Sequence, residues 1–319
     1  MVNKFKNKNV IVTGGAGFIG GHLTQVLIDL GANVTVMDIK VNQKSYFVQN
    51  KLNQNVKLEK IDITNRKMVA ESFKQHSPNY IFHLAAKALV ENSYENPWDT
   101  FNTNVMGTVN ILEAARKVKN LSGIIVASSD KAYGKLNKNK YNEDDPLKGD
   151  HPYEVSKSSA DLISYSYYKT YELPIVITRF SNVYGEGDLN FSRIIPDIMK
   201  TIIKKRALKI RSNGKHVRDY TYVKDVVKGY LLLASKINIT KGEAYNFGSN
   251  DTLSVLSLVR LVENVLKEKT KYKILNIARN EIPFQHLDDK KVRKLGWTNK
   301  YSIEDKIVDI LAWYKLALA

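Results

Sequence analysis

Cysteine is absent from the 319-residue chain. That excludes disulfides, a thiolate nucleophile and cysteine-ligated zinc. The six histidines show no ligand spacing, so no metal is expected. No apolar run approaches about 18 residues, so no membrane-spanning helix is expected. The opening stretch, MVNKFKNKNVIVTGG, holds one short apolar run that leads straight into glycines, without a small-residue cleavage pattern. The expectation is a soluble, cytoplasmic protein. Acidic residues are in deficit: 32 Asp and Glu stand against 49 Lys and Arg, a formal charge of +17. Such an excess invites a nucleic-acid reading. The lysines are scattered, however, with denser stretches only at 4–8, 135–140 and 204–209, and no aromatic interleaving or nucleic-acid motif accompanies them. Nucleic acid is therefore not an expected partner. A positive field would still draw a substrate that carries a diphosphate. At 43% hydrophobic and 25% charged residues, the composition is that of a folded globular chain and excludes disorder.

Short apolar runs alternate with helical patterns through the first 180 residues. Strands are predicted at 10–12, 34–37, 81–84, 123–126 and 175–177, with helices at 20–30, 68–75, 105–118 and 156–171. This alternation indicates an α/β fold, a doubly wound parallel sheet covered by helices on both faces. After about residue 180 the pattern loosens into loops and short helices over 184–211, and a helix-rich tail runs from 254 to 319. The segments 218–227 and 245–247 read as elements of the first domain returning. The predicted organisation is a dinucleotide-binding domain over 1–180, with returning segments near 218–248, and a smaller, discontinuous substrate domain over 181–319. The Lys/Asn-rich stretch near 135–142 reads as an exposed insertion.

The strand at 10–12 runs directly into Thr13-Gly14-Gly15-Ala16-Gly17-Phe18-Ile19-Gly20. Gly14 permits a tight turn, Gly17 lets backbone approach a diphosphate, and Gly20 lets the helix pack against the sheet. The first N–H groups of that helix, around Phe18 and Ile19, then face the anion at the positive end of the helix dipole. Asp38, 18 residues beyond Gly20, ends the next strand. A carboxylate there accepts from both ribose hydroxyls and repels a 2′-phosphate, which favours NAD over NADP. Asp62 and Ile63 are candidates to bracket the adenine, and Leu84, Ala85 and Ala86 follow the third strand on the cofactor side.

Tyr153 and Lys157 stand four apart at the start of a predicted helix and so share a face. An ammonium beside a phenol lowers the phenol's pKa, which suits a base that takes a proton from a sugar hydroxyl. Ser129 follows the strand at 123–126, at a carboxyl end where open α/β sheets hold ligands, and can donate to the same oxygen.

These residues carry a resemblance. TGGAGFIG (13–20), HLAAKALV (83–90), NTNVMGTVNILEAAR (102–116), SSDKAYG (128–134), YEVSK (153–157), RFSNVYG (179–185) and RDYTYVKDV (218–226) together resemble the extended short-chain dehydrogenase/reductases, the NAD-dependent nucleotide-sugar epimerase/dehydratase family. The likeness covers nearly the whole chain and implies a Rossmann-type domain, a bound NAD and a nucleotide-diphosphate sugar substrate. It also implies a homodimer paired through the helices near 105–118 and 156–171. Within the family the chain is most similar to the CDP-glucose 4,6-dehydratases, which also have Asp and Lys where this chain has Asp130 and Lys131; epimerases usually carry small neutral residues there. The resemblance implies that Asp130 is the acid for the departing C6 hydroxyl and that Lys131 assists or performs C5 deprotonation. It further assigns Asn182 and Arg218 to the diphosphate, and Arg193 to a phosphate or the nucleobase. RDYTYVKD and Gly134 follow the general family form and leave the nucleobase open. A 4-epimerase acting on a UDP-sugar, and an NAD-binding protein without turnover, are the alternatives.

Overall fold

The computed structural model describes residues 2–278, 280 and 282–319. In chain order the strands are β1 (Asn9–Thr13), β2 (Asn33–Asp38), β3 (Lys57–Lys60), β4 (Tyr80–His83), β5 (Gly123–Ala127), β6 (Ile175–Phe180), β7 (Asn182–Tyr184), β8 (Leu208–Ile210), β9 (Val217–Tyr222), β10 (Ala244–Phe247), β11 (Asp251–Ser254), β12 (Tyr272–Ile274) and β13 (Phe284–Gln285). The helices are α1 (Val2–Phe5), α2 (Phe18–Asp29), α3 (Tyr46–Gln49), α4 (Arg66–His76), α5 (Val90–Glu95), α6 (Pro97–Phe101), α7 (Gly107–Ala115), α8 (Pro152–Tyr171), α9 (Ile194–Lys204), α10 (Val223–Ser235), α11 (Ile237–Thr240), α12 (Val255–Leu266), α13 (Lys290–Arg293) and α14 (Ile303–Ala317).

Seven strands form one sheet in the order β10-β6-β5-β4-β1-β2-β3, and every neighbouring pair is parallel. The inner strands are apolar because both of their faces are covered. On one face Val10, Val12 and Phe82 pack with Leu23 and Leu27 of α2 and Tyr230 and Leu233 of α10. On the other, Ile11, Ile81 and Ile124 pack with Val69 and Phe73 of α4 and Ile111 and Leu112 of α7. This is the doubly wound α/β fold that the sequence predicts. The chain leaves the sheet on opposite sides of β1 and β4, and their carboxyl ends open the crevice where such folds hold ligands.

A second assembly stands beyond β6. β11, β9 and β13 lie side by side with β7 on β9, and β12 pairs with β8. Helices α9, α12 and α14 close an apolar cluster over them with Ile195, Ile198, Leu258, Val262, Ile307 and Tyr314. Between β9 and β11 the chain rejoins the large sheet as α10 and β10. The stretch 184–211, read from sequence as loops and short helices, holds the eleven-residue α9. The Lys/Asn segment is only partly an exposed insertion. Its lysines face solvent, but Tyr141 is fully buried. The Tyr141 backbone accepts from Asp288 N at 2.7 Å and donates to His286 O at 2.9 Å, which ties the loop to the chain around β13.

Candidate active site

The turn from β1 into α2 is built by glycine. Gly14 has φ +70°, a conformation that favours glycine, and a Cβ there would meet Ala85 N at 2.9 Å. A Cβ on Gly20 would come within 2.1 Å of the Gly14 carbonyl oxygen, so α2 lies directly on the loop. Gly17 differs. It caps α2 with no side-chain hydrogen bond, it is exposed, and a Cβ there would meet only the Gly14 oxygen, at 3.2 Å. The N–H groups of Phe18, Ile19 and Gly20 have no partner within the helix, so an open cradle of donors faces outward at the sheet's switch point. These residues fit a diphosphate. At the end of β2, Asp38 accepts from Ala16 N at 3.2 Å. Burial raises its carboxyl above the usual range, while the N–H groups of Lys40, Ala16 and Ile39 oppose the rise. Leu84 and Ala85 are fixed by Thr13: its carbonyl and hydroxyl accept from Leu84 N, and its hydroxyl accepts from Ala85 N at 3.1 Å. Ala86 follows, half-buried. Ile63 is buried against Gly107, whereas Asp62 is exposed and turned on its own loop, where it accepts from Thr64 N at 2.9 Å and Thr64 Oγ1 at 2.8 Å.

The catalytic candidates meet at the carboxyl end of β5. Ser129 caps a short 3₁₀ turn over Asp130–Tyr133 and accepts from Lys131 N at 3.2 Å. Its hydroxyl lies 3.0 Å from Asp130 Oδ1 and also hydrogen-bonds the Tyr153 phenol. Tyr153, Lys157 and Asp130 are all buried. The Lys157 amine donates to the Ala127 carbonyl at 2.9 Å, and burial pulls its pKa down to about 8. The phenol does not show the lowered pKa expected from its spacing to lysine. Burial pushes it up to about 12, with Asp130 adding to the rise and Arg193 opposing it. Desolvation of the phenol outweighs nearby charge, and the amine is directed at a backbone carbonyl. Next to this group, Ser128 Oγ is buried without a hydrogen-bond partner, an orphan that a bound ligand would satisfy.

Three candidates for substrate approach from the second assembly. Asn182 on β7 pairs in register with Tyr220 of β9, so Asn182 and Arg218 share one face of that sheet. Asn182 donates to Asp219 O at 3.4 Å, and Arg218 Nη1 to Val217 O at 2.8 Å. Arg193, at the start of α9, pairs at 3.1 Å with the buried carboxylate of Asp188. The charge of Arg193 opposes the rise of the Tyr153 phenol's pKa. His83 is neutral, driven down to about 3 by burial, and is held between Thr13 Oγ1 at 2.8 Å and Thr108 Oγ1 at 3.0 Å. No group of three or more His, Asp or Glu capable of holding a metal occurs among the described residues. No helix among them is long and apolar enough to cross a membrane.

Sequence reasoning missed two residues here. Asn104 sits on a π-helical turn, Asn102–Met106, between α6 and α7, a feature that often marks functional sites. It accepts from Lys87 N at 2.7 Å and donates to Lys87 O and Ser156 Oγ, which ties the loop after β4 to the start of α8. Gln285 contacts the catalytic turn from β13. Asn104 lay within a recognised motif and its burial was not legible there; Gln285 gave no local signal at all.

Comparison with known proteins agrees with this geometry. The family model described as GDP-mannose 4,6 dehydratase matches residues 11–310. The chain is 30% identical to a UDP-glucuronate 4-epimerase of Thermodesulfobacterium geofontis over 96% of this chain and 95% of that one. It is 29% identical to a CDP-glucose 4,6-dehydratase of Salmonella typhimurium, over 98% and 92%. The crystal structure of a dTDP-glucose 4,6-dehydratase from Streptomyces venezuelae with NAD bound superposes with a TM-score of 0.88 at 25% identity, covering 97% of each chain. The chain belongs to the nucleotide-sugar dehydratase and epimerase family of extended short-chain dehydrogenase/reductases.

Proposed function

We propose that the protein is an NAD-dependent nucleotide-sugar 4,6-dehydratase, similar to the CDP-glucose enzymes, which converts its substrate to a 4-keto-6-deoxy sugar. One observation carries this reading: Asp130 and Lys131, an acid and an amine, stand on the turn whose cap, Ser129, hydrogen-bonds the Tyr153 phenol. Oxidation at C4 and epimerisation require only Ser129, Tyr153 and Lys157; elimination across C5 and C6 requires a further acid and base. NAD, when bound, would supply the hydride acceptor for C4 and the hydride donor for C6.

The chain's own groups supply the proton transfers. Tyr153 takes the proton of the C4 hydroxyl, with Ser129 hydrogen-bonding the same oxygen. Lys157, already held near pKa 8, favours the ionised phenol when it carries charge. Once C4 is a ketone the C5 proton is acidic. Lys131 takes that proton while Asp130 gives one to the C6 hydroxyl, which departs as water; once hydride is added at C6, C5 regains a proton from the Lys131 ammonium, which by then has exchanged with solvent. Gly14, Gly17 and Gly20 with the N–H groups of Phe18 and Ile19 would hold the dinucleotide's diphosphate, Asp38 its ribose, Asp62 and Ile63 its adenine, and Leu84 to Ala86 its nicotinamide side. Residues 1–180, with the return near 218–248, would form this domain. Residues 181–319 would hold the nucleotide sugar, with Asn182 and Arg218 on the diphosphate. Arg193 would contact a phosphate or the nucleobase.

Exposed apolar side chains on α6, the π turn and α8 support a homodimer. Trp98 is 75% exposed and Leu162 57%, with Met106 and Tyr165 close to half.

The similar identity to a 4-epimerase favours a second reading, in which the 4-keto sugar turns over and hydride returns to C4. Incubation with NAD and CDP-, UDP-, dTDP- or GDP-glucose in deuterated water separates the two. A product lighter by one water and deuterated at C5 is expected. An isomer of unchanged mass would replace the dehydratase reading with the epimerase, and no conversion of any sugar would overturn both. Tyr153→Phe should abolish conversion while nucleotide binding persists.

A further inference from the structure

Gln285 is 1% exposed, and its amide is used at both ends. Oε1 accepts from the Lys131 amine at 2.9 Å, and Nε2 donates to the Asp130 carbonyl at 3.2 Å. One side chain therefore fixes both the head group of Lys131 and the backbone of Asp130, 154 and 155 residues away in sequence. The strand that presents it is anchored twice. On one side β13 pairs in parallel with β9, where Gln285 is the register partner of Arg218. The fully buried Asp219 holds the adjoining residues, accepting from Leu287 N at 2.9 Å and pairing with His286 at 2.7 Å. On the other side the Tyr141 backbone bonds to His286 and Asp288.

We infer that Gln285 is a positioning residue for the elimination step: from the strand beside Arg218 it sets the Lys131 amine against the sugar's C5 while keeping the Asp130 turn in register. The inference rests on the dehydratase reading above. A long, flexible lysine has many rotamers, and a rigid amide acceptor selects one of them, so the amine meets its proton without a search. The same strand pair carries the arginine assigned to the diphosphate. The distance from phosphate grip to base is thus fixed by adjacent positions on β9 and β13. Gln285 touches neither substrate nor cofactor in this scheme and acts through Lys131 and Asp130.

The test compares the full-length, NAD-loaded wild type with Gln285→Leu and Gln285→Glu. For Gln285→Leu, water loss and C5 deuteration should fall about 10- to 100-fold, the scale of a misplaced reacting group. KM should stay within about threefold, and transient reduction of the nicotinamide, which reports the earlier C4 oxidation, should persist, because a positioning role separates these quantities. Gln285→Glu puts a carboxylate against the Lys131 ammonium. The rise of kcat with pH that depends on free amine should therefore move to higher pH. Thermal midpoints are measured on each variant. Unchanged elimination in Gln285→Leu by an active wild type overturns this inference alone. So do a loss confined to stability, an unmoved pH profile in Gln285→Glu, or failure of both variants to fold. A wild type that eliminates no water overturns the dehydratase reading, and the inference falls with it.

Discussion

Lys157 is a cation held where water hardly reaches it, with the Ala127 carbonyl as acceptor. Burial lowers its pKa from the ordinary 10.5 to about 8, and Asp161 opposes the shift. The sign of the linkage follows. Between pH 8 and 10.5 the unfolded chain keeps a proton that the folded protein has released, so stability rises with pH across that window. Below pH 8 the amine is charged in both states and the full desolvation cost is present. Lys157→Met removes the titration. In urea unfolding of protein without added NAD, wild type should therefore gain on Lys157→Met as pH goes from 8 to 10, by of order 2–3 kcal/mol at most. Parallel pH curves for the two proteins would refute the assignment. The same buried amine suits the chemistry, because a lysine that shifts readily between charged and neutral can respond to charge on the phenol one helical turn before it.

At the level of elements, the β1–α2 turn separates two uses of glycine that one motif merges. Gly20→Ala would set a methyl against the backbone of Gly14 and Gly15, neither of which can yield without moving α2. It should cost about 1–3 kcal/mol of stability and weaken NAD binding together. Gly17 has φ −77° and open space beyond the Gly14 oxygen. Gly17→Ala should therefore fold with a near-native thermal midpoint but lose the upward shift that NAD gives wild type, because the methyl occupies the diphosphate's approach. Equal loss of stability in both variants would show that Gly17 serves packing alone. This turn was legible in the sequence because strand, glycines and helix are contiguous, and so were Tyr153 with Lys157 and Ser129 with Asp130. β3 was not, since KLEK is a mostly exposed, charged edge strand with no apolar pattern. The burial of Tyr141 was hidden among lysines because its partners lie near residue 287. The raised pKa of Tyr153 was also beyond sequence reasoning: spacing reports a neighbour, whereas desolvation depends on the whole surround.

Across the whole molecule, a charge of +17 opposes self-association, so a dimer must rest on a surface where lysine is scarce and apolar area is concentrated. The contiguous run from α6 through the π turn to α7, packed on α8, provides one. Trp98 and Met106 on the first and Leu162 and Tyr165 on the second are exposed although all four are large and apolar. Leu162 and Tyr165 stand three apart and share a helix face. Two copies related by a twofold axis would place the same patch against itself, so a single substitution acts twice in each interface. Stable interfaces bury about 800 Å² per partner, an area that two helix faces from each copy can supply. Wild type should therefore sediment as a dimer at micromolar concentration. Leu162→Asp, with a carboxylate on each side of the axis, should shift it toward monomer, while Leu316→Asp, at a still more exposed leucine of α14, should leave the dimer intact. A wild type that sediments as a monomer, or a Leu162→Asp protein that remains a dimer, would remove this face from the assembly.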